Sequence, residues 1–273
     1  MNINLQVKKL IEEFSKLEDV RGILLAGSQA TKTNDENSDY DIYIYTSKDI
    51  PIESRKIITE KYFKYIELNN KFWETEDDGI LKEDNIPVEI IYRNLDWIST
   101  SLNRTIVECE ADIGYTTCFW SNLMKSIILY DKCGELKKLQ EKYNVYYPEK
   151  LRRNIIKKNY PLLKKQMPAY YYQIEKALKR NDFISINHRV AALLSSYFDI
   201  IFAINKMPHP GEKKIFQIIR ENNLKVPNKM EMNVMNILKD SSANDNKILK
   251  EIDSLIDNLD ILLEEEGINI VGY

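Results

Sequence analysis

Three acidic side chains stand in or beside runs that are otherwise typical of β-strands. Asp39 and Asp41 flank Tyr40 at the start of the run YDIYIYT, and Glu89 lies among valine and isoleucine in IPVEIIYR. Alternate residues of a strand share a face, so Asp39 and Asp41 are expected side by side, with the hydrophobic residues between them facing the core. Like charges at this distance repel, and divalent cations bound by carboxylate oxygens remove the repulsion. The pattern predicts a site for one or two Mg²⁺ ions.

A Gly-Ser pair precedes these acids. Gly27 and Ser28 end the run RGILLAGS, and ten residues separate Ser28 from Asp39. Glycine allows another group to approach the backbone closely, and serine adds a hydroxyl to the N–H donors of the turn. Such a turn beside a divalent metal is suited to a triphosphate. Gly27 and Ser28 are therefore predicted to bind a nucleotide.

Glu89 has more than one interpretation. An unpaired charge in a hydrophobic strand is costly, which favours a metal ligand, but strand carboxylates also form salt bridges, here with Arg93 or Lys82. At a metal site it would either complete the coordination or accept a proton as a general base, and the sequence does not separate these roles. Asp96 and the cluster 76–78 are the alternative third carboxylates.

The surrounding sequence predicts the elements that position these residues. A helical pattern spans residues 3–17, strands are predicted at RGILLAG, YDIYIYT and IPVEIIYR, and a helix is predicted over 54–69. The segment ETEDDGILKEDN reads as an acidic loop before the third strand. From Pro148 onward, long helical patterns replace the strand signal. The chain is therefore predicted to be α+β, with a small mixed-sheet domain, 1–145, followed by an all-helical domain, 146–273.

Composition limits the classes of protein and partner. The chain has 273 residues, 44% of them hydrophobic, and a formal net charge of −3, which gives no overall basic surface for nucleic acid. Its three cysteines, Cys109, Cys118 and Cys133, match no zinc-site spacing. No run reaches the length of a membrane span or an export signal. A reduced, cytoplasmic protein is expected, without a membrane and with nucleic acid disfavoured as a partner.

The motif Gly27-Ser28, ten residues, Asp39-x-Asp41 and a later strand carboxylate resembles the signature of the DNA polymerase β type nucleotidyltransferase superfamily. Within it, the chain is most similar to bacterial two-domain enzymes of the DUF4037 type, which are related to antibiotic nucleotidyltransferases. Segments such as TTCFWSNLMKSIILYDKCGEL and NHRVAALLSSYFDIIFAINKMPHPGEKK extend the resemblance to about residue 216. The residues that match the motif are Gly27, Ser28, Ser38, Asp39, Asp41 and Glu89.

This resemblance implies transfer of a nucleoside monophosphate from an NTP, with ATP as the first expectation, to a hydroxyl group, with release of pyrophosphate. The acceptor would be a small molecule, such as an aminoglycoside or lincosamide antibiotic, and the function antibiotic resistance. A protein-modifying, adenylylating enzyme would share the same catalytic residues. A nonenzymatic nucleotide sensor is the third alternative, although sensors tend to lose a carboxylate and all three are present here.

Other candidate residues lie in the helical half or in the acidic segment. Lys213, in the turn MPHPGEKK, is predicted to contact the triphosphate, and the matching loop of the resembled family supports this. The roles of His188, Arg189 and the cluster Tyr170–Tyr172 stay open. The acidic segment 74–84 predicts a negative potential near the site, which favours a polycationic acceptor over RNA.

Overall fold

The computed structural model describes residues 3–31, 39–72, 74–242 and 247–269. Six strands form one sheet in the order β3-β4-β5-β2-β1-β6. The strands are β1 (Val20–Leu25), β2 (Tyr40–Thr46), β3 (Phe63–Asn70), β4 (Thr75–Leu81), β5 (Pro87–Asn94) and β6 (Ile127–Asp131). Neighbours are antiparallel except β2 and β5, which are parallel. A mixed sheet followed by helices confirms the predicted α+β class.

Helices connect the strands and make up the second half of the chain. They are α1 (Leu5–Ser15), α2 (Gly27–Thr31), α3 (Ile52–Tyr62), α4 (Leu95–Leu102), α5 (Cys118–Lys125), α6 (Glu135–Tyr143), α7 (Glu149–Tyr160), α8 (Tyr170–Lys179), α9 (Phe183–Ile204), α10 (Ile215–Glu221), α11 (Met230–Ser241) and α12 (Lys247–Glu265). Short π-helical segments cover Asn103–Val107 and Pro161–Lys165. Within the described residues, no helix combines the length and apolar character that crossing a membrane requires.

The first helix begins at a side-chain cap and covers one face of the sheet. The Asn4 side chain accepts a hydrogen bond from the backbone N–H of Gln6, at 2.8 Å, which satisfies one of the free donors of the first turn. Val7, Leu10 and Phe14 are buried in a core that also holds the inward residues of β1, β2 and β5. The alternation of these strands thus places one face in this core, while the other face carries polar residues as well as buried ones such as Leu24 and Tyr45.

Two elements predicted in the first half of the chain are wrong. The helix predicted over residues 54–69 ends at Tyr62, and Phe63–Asn70 is strand β3. The segment predicted as an acidic loop contains strand β4, which pairs with β3 and β5. The acidic residues of β4 have a weak β propensity, so the sequence pattern favoured a loop. Pairing with two neighbouring strands overrides that propensity.

By proximity the residues form two compact units. The first contains residues 1–103 and 119–145, and the second contains residues 104–118 and 146–273. The predicted division into domains 1–145 and 146–273 stays a prediction, because a grouping of close residues does not show which segments fold independently.

The second unit holds the loop before α5 through one buried carboxylate. Asp199 on α9 accepts hydrogen bonds from the Thr116 hydroxyl, at 2.6 Å, and from the Thr116 backbone N–H, at 3.2 Å. Asn159 on α7 accepts from the Gly114 N–H, at 2.9 Å, and donates to the Asp112 carbonyl, at 3.0 Å. Burial raises the pKa of Asp199 to about 7. This network fixes the loop to helices α7 and α9.

Candidate active site

The three predicted carboxylates lie together on one face of the sheet. Asp41 on β2 is directly opposite Glu89 on the parallel strand β5, and Asp39 is placed immediately before β2. All three residues are half-buried. One carboxylate oxygen from each lies within 4.8 Å of the corresponding oxygen of the others. The structure therefore brings Asp39, Asp41 and Glu89 into a single cluster.

The strand register explains this cluster. Tyr40, Ile42 and Ile44 point into the hydrophobic core, so the intervening Asp41 must point to the opposite face. The same alternation buries Val88 and Ile90 around Glu89 on β5. Because parallel strands pair residue for residue here, the two outward carboxylates become neighbours. Three oxygen ligands at this spacing fit a hard divalent cation such as Mg²⁺.

The salt-bridge partners considered for Glu89 are engaged elsewhere. Arg93 donates from Nε and Nη2 to the two carboxylate oxygens of Glu74, at 2.7 and 2.6 Å. Lys82 donates to the backbone carbonyls of Glu60 and Lys61, at 2.7 and 3.1 Å. These contacts favour the metal-site interpretation of Glu89, whose role stays a prediction.

Gly27 lies directly against Asp41. Its φ is +61°, a left-handed conformation that glycine adopts readily, and a Cβ atom added to it would lie 1.6 Å from Oδ2 of Asp41. The Ala26 N–H donates to the Asp41 carbonyl at 2.9 Å, which ties the end of β1 to β2. The sequence identifies Gly27 as a residue of close approach, and the structure shows that the approaching group is Asp41.

The other predicted site residues differ in location and in exposure to solvent. Ser28 is half-buried next to Gly27, and Ser38 lies outside the described residues. Lys213 is exposed in the turn before α10, in the second unit, and its contact with nucleotide stays a prediction. Asp96, an alternative third carboxylate, is exposed in the first turn of α4.

The remaining candidates in the second unit lie on two helices. His188 and Arg189 are exposed on α9, and the tyrosines Tyr170–Tyr172 are half-buried at the start of α8. Tyr171 donates from its hydroxyl to Asp253 at 3.2 Å, and its ring stands edge-on to Tyr172, with the centroids 5.4 Å apart. These contacts lie within the unit, and the roles of the two exposed residues and of the tyrosines stay open.

A row of carboxylates extends from the cluster across the sheet. Asp78 on β4 pairs with Glu89, and Glu67 on β3 pairs with Asp78. Directly paired residues share a face, so Asp41, Glu89, Asp78 and Glu67 form one line over four neighbouring strands. Sequence reasoning missed this row because it did not identify β3 and β4.

The acidic segment predicted to be a loop is buried in part. Asp77 is fully buried and forms a salt bridge with Arg55 on α3, with 2.9 Å between Oδ1 and Nη1, and Glu76 is also buried. Asp77 further accepts from the Tyr92 hydroxyl at 2.7 Å and from the Asn69 N–H at 2.7 Å. Burial raises the pKa of Asp77. Of the acidic cluster 76–78, Asp78 alone shares the row with Glu89.

Two protein-family models match the chain. The model described as polymerase beta, nucleotidyltransferase matches residues 8–92, which include Gly27 and the three clustered carboxylates. A domain of unknown function, DUF4037, matches residues 120–214, which include Lys213. No curated protein matches the chain. Among solved structures, a nucleotidyltransferase-like protein from Exiguobacterium sibiricum is similar, with 9% sequence identity, a TM-score of 0.44, and coverage of 96% of this chain and 76% of that chain.

Proposed function

We propose that the chain transfers a nucleoside monophosphate from an NTP, with ATP as first candidate, to a hydroxyl group of a small molecule, releasing pyrophosphate. The match of residues 8–92 to the polymerase beta nucleotidyltransferase model supports this class of reaction. The observation that carries the proposal is the cluster of Asp39, Asp41 and Glu89, whose carboxylate oxygens converge within 4.8 Å. Such a cluster of half-buried like charges attracts a cation, and a nucleoside triphosphate is usually bound with one.

The donor set fits Mg²⁺, because all three ligands are carboxylate oxygens. Asp39, Asp41 and Glu89 would hold one or two ions, which when bound neutralise charge on the phosphate oxygens. The chain's own residues have separate tasks. Gly27 leaves room for Asp41 to keep its position, and Ser28 supplies donors to a phosphate. Glu89 either completes the metal site or accepts the proton of the acceptor hydroxyl.

The first prediction concerns nucleotide binding. ATP should bind the wild-type protein at least about tenfold more weakly in EDTA than in Mg²⁺, because the cluster otherwise repels the triphosphate. Isothermal titration calorimetry in the two buffers measures this. In the Asp41→Asn variant the difference should shrink, whereas Glu18→Gln, which removes an exposed carboxylate outside the cluster, should retain it. Equal wild-type affinity in both buffers would exclude the metal site.

We further propose a polycationic acceptor, such as an aminoglycoside. The support is the row formed by Asp41, Glu89, Asp78 and Glu67, which continues the negative charge of the cluster across the sheet. Asp78 accepts from the Asn70 amide at 2.9 Å, and Glu67 accepts from the Tyr65 hydroxyl at 2.6 Å, and neither neutral donor cancels the charge. Such a row attracts ammonium groups and repels RNA phosphates.

The second prediction tests the acceptor class. The KM for a cationic acceptor should rise with ionic strength in the wild type, because salt screens the attraction between the row and the acceptor's ammonium groups. The double variant Glu67→Gln/Asp78→Asn should have a higher KM and a weaker salt dependence. Glu53→Gln/Glu60→Gln removes two exposed carboxylates from α3 and should behave as the wild type. Identical salt curves in all three proteins would rule out electrostatic attraction by the row.

One assay separates the proposed reaction from its alternatives. Labelled ATP, GTP, CTP and UTP are incubated with Mg²⁺ and aminoglycosides, with lincosamides, or with bacterial lysate proteins. Transfer of label to a small molecule supports the proposed function and identifies both substrates. Labelled protein bands without small-molecule products would favour an adenylylating enzyme. Nucleotide binding without any transfer would favour a sensor.

A further inference from the structure

A polar pocket lies in the first unit, at the end of the sheet opposite to the carboxylate cluster. It has a volume of about 270 Å³ and is lined by residues at the ends of β2, β3 and β5 and at the start of α3. Thr46, the last residue of β2, lines it. Asp41 is five residues earlier on the same strand, so the two sites are roughly 17 Å apart at the rise of a β-strand. The pocket is therefore separate from the cluster.

A buried arginine with an unused donor lines this pocket. Arg55 is 2% exposed; its Nη1 donates to Asp77 at 2.9 Å and its Nη2 donates to Asn69 at 3.2 Å. Its Nε, in contrast, has no hydrogen-bond partner among the residues that the structure describes. A buried N–H of a charged group without an acceptor costs about 1–3 kcal/mol or more. An acceptor entering the pocket would remove this cost, after a side-chain shift that uncovers the nitrogen.

The other lining groups are also mainly donors. Lys71, just after β3, brings a second cation, and Thr46 and Thr75 bring hydroxyl groups. The pocket includes Pro51 and Ile52 at the N-terminus of α3, an 11-residue helix with no side-chain cap. The N–H groups of an uncapped first turn carry a partial positive charge, which favours an anion. Several independent donors thus surround one small space.

We propose that this pocket binds the phosphate group of a small phosphorylated ligand. A phosphate offers three or four acceptor oxygens, enough for the Arg55 Nε–H, the Lys71 ammonium and the first turn of α3, whereas a carboxylate offers two. Asp49, which also lines the pocket, opposes a bare anion and can accept a hydroxyl hydrogen. A sugar phosphate supplies both the phosphate oxygens and a hydroxyl group for this carboxylate. Inorganic phosphate shares the same anionic group.

Inorganic phosphate and ribose 5-phosphate, titrated separately by calorimetry into the full chain in EDTA and without nucleotide, test the proposal. Both should bind the wild type, and Lys71→Ala should weaken both about tenfold or more, the loss expected for a hydrogen bond from a charged donor. Asp49→Asn should strengthen inorganic phosphate, because it removes the opposing charge. Tighter binding of ribose 5-phosphate than of inorganic phosphate identifies a sugar phosphate as the ligand; equal binding identifies free phosphate.

Two control variants make the assignment specific. Lys56→Ala and Lys61→Ala each remove a cation of α3 outside the pocket, and both should bind the two probes as the wild type does. No binding at millimolar concentrations, or equal losses in Lys71→Ala and Lys56→Ala, would overturn the proposal. Failure of this test leaves nucleotidyl transfer unaffected, since the assay contains neither Mg²⁺ nor NTP.

Discussion

Asp41→Asn is expected to keep the fold and to lower the turnover of nucleotidyl transfer by roughly two orders of magnitude or more. Asparagine has nearly the same size, so the contact with Gly27 and the pairing of β2 with β5 remain. It lacks the negative charge that a divalent cation requires, and charge stabilisation of this kind contributes several kcal/mol to a phosphoryl transfer. Steady-state kinetics with saturating ATP and Mg²⁺ measure the loss, and thermal unfolding confirms that the variant is folded.

Two companion variants assign the third carboxylate. Glu89→Gln should reduce turnover to a comparable extent, whereas Asp96→Asn, which changes an exposed residue outside the cluster, should not. The reverse outcome would transfer the third position to Asp96. If Asp41→Asn itself retains most of the wild-type turnover, the cluster is not the catalytic centre.

The sequence predicts the cluster well because its signal is local. A single rule, that alternate strand residues share a face, places Asp39 and Asp41 together, and the hydrophobic neighbours of Glu89 identify its strand. What the rule cannot give is the register between β2 and β5, since Thr46 and Arg93 are 47 positions apart in the sequence and the pairing is fixed only in the folded sheet. The resemblance to a known family supplied that link between distant residues.

Strand β4 shows why the remaining part of the sheet could not be predicted. Its run TEDDGIL contains three consecutive acidic residues, a composition typical of a solvated loop. Arg55, on a different element, neutralises Asp77 in the interior, and the Tyr92 hydroxyl satisfies its second oxygen. A long-range ion pair of this kind has no signature in a local window. Sequence patterns therefore could not predict the carboxylate row or the phosphate pocket, which both depend on β3 and β4.

Gly27→Ala should lower turnover by about a hundredfold although residue 27 carries no functional group. The new Cβ would lie 1.6 Å from Oδ2 and 2.7 Å from Cγ of Asp41. Both distances are shorter than non-bonded atoms allow, so the carboxylate must move. A displacement of about 1 Å at a catalytic group can cost about 10²-fold in rate. The positive φ adds a backbone penalty of roughly 1 kcal/mol. Turnover and the Mg²⁺ dependence of ATP binding should fall together.

A second glycine provides the matched control for this variant. Gly134, before α6 in the same unit, has a φ of +69° and no atom within 4 Å of an added Cβ. Gly134→Ala therefore introduces a similar backbone penalty without a clash, and it should lower the unfolding temperature slightly while leaving turnover unchanged. If both variants lose stability equally and both keep full activity, close packing against Gly27 does not position Asp41. If only Gly27→Ala loses turnover, the glycine of the Gly-Ser turn acts by holding the Asp41 carboxylate in place.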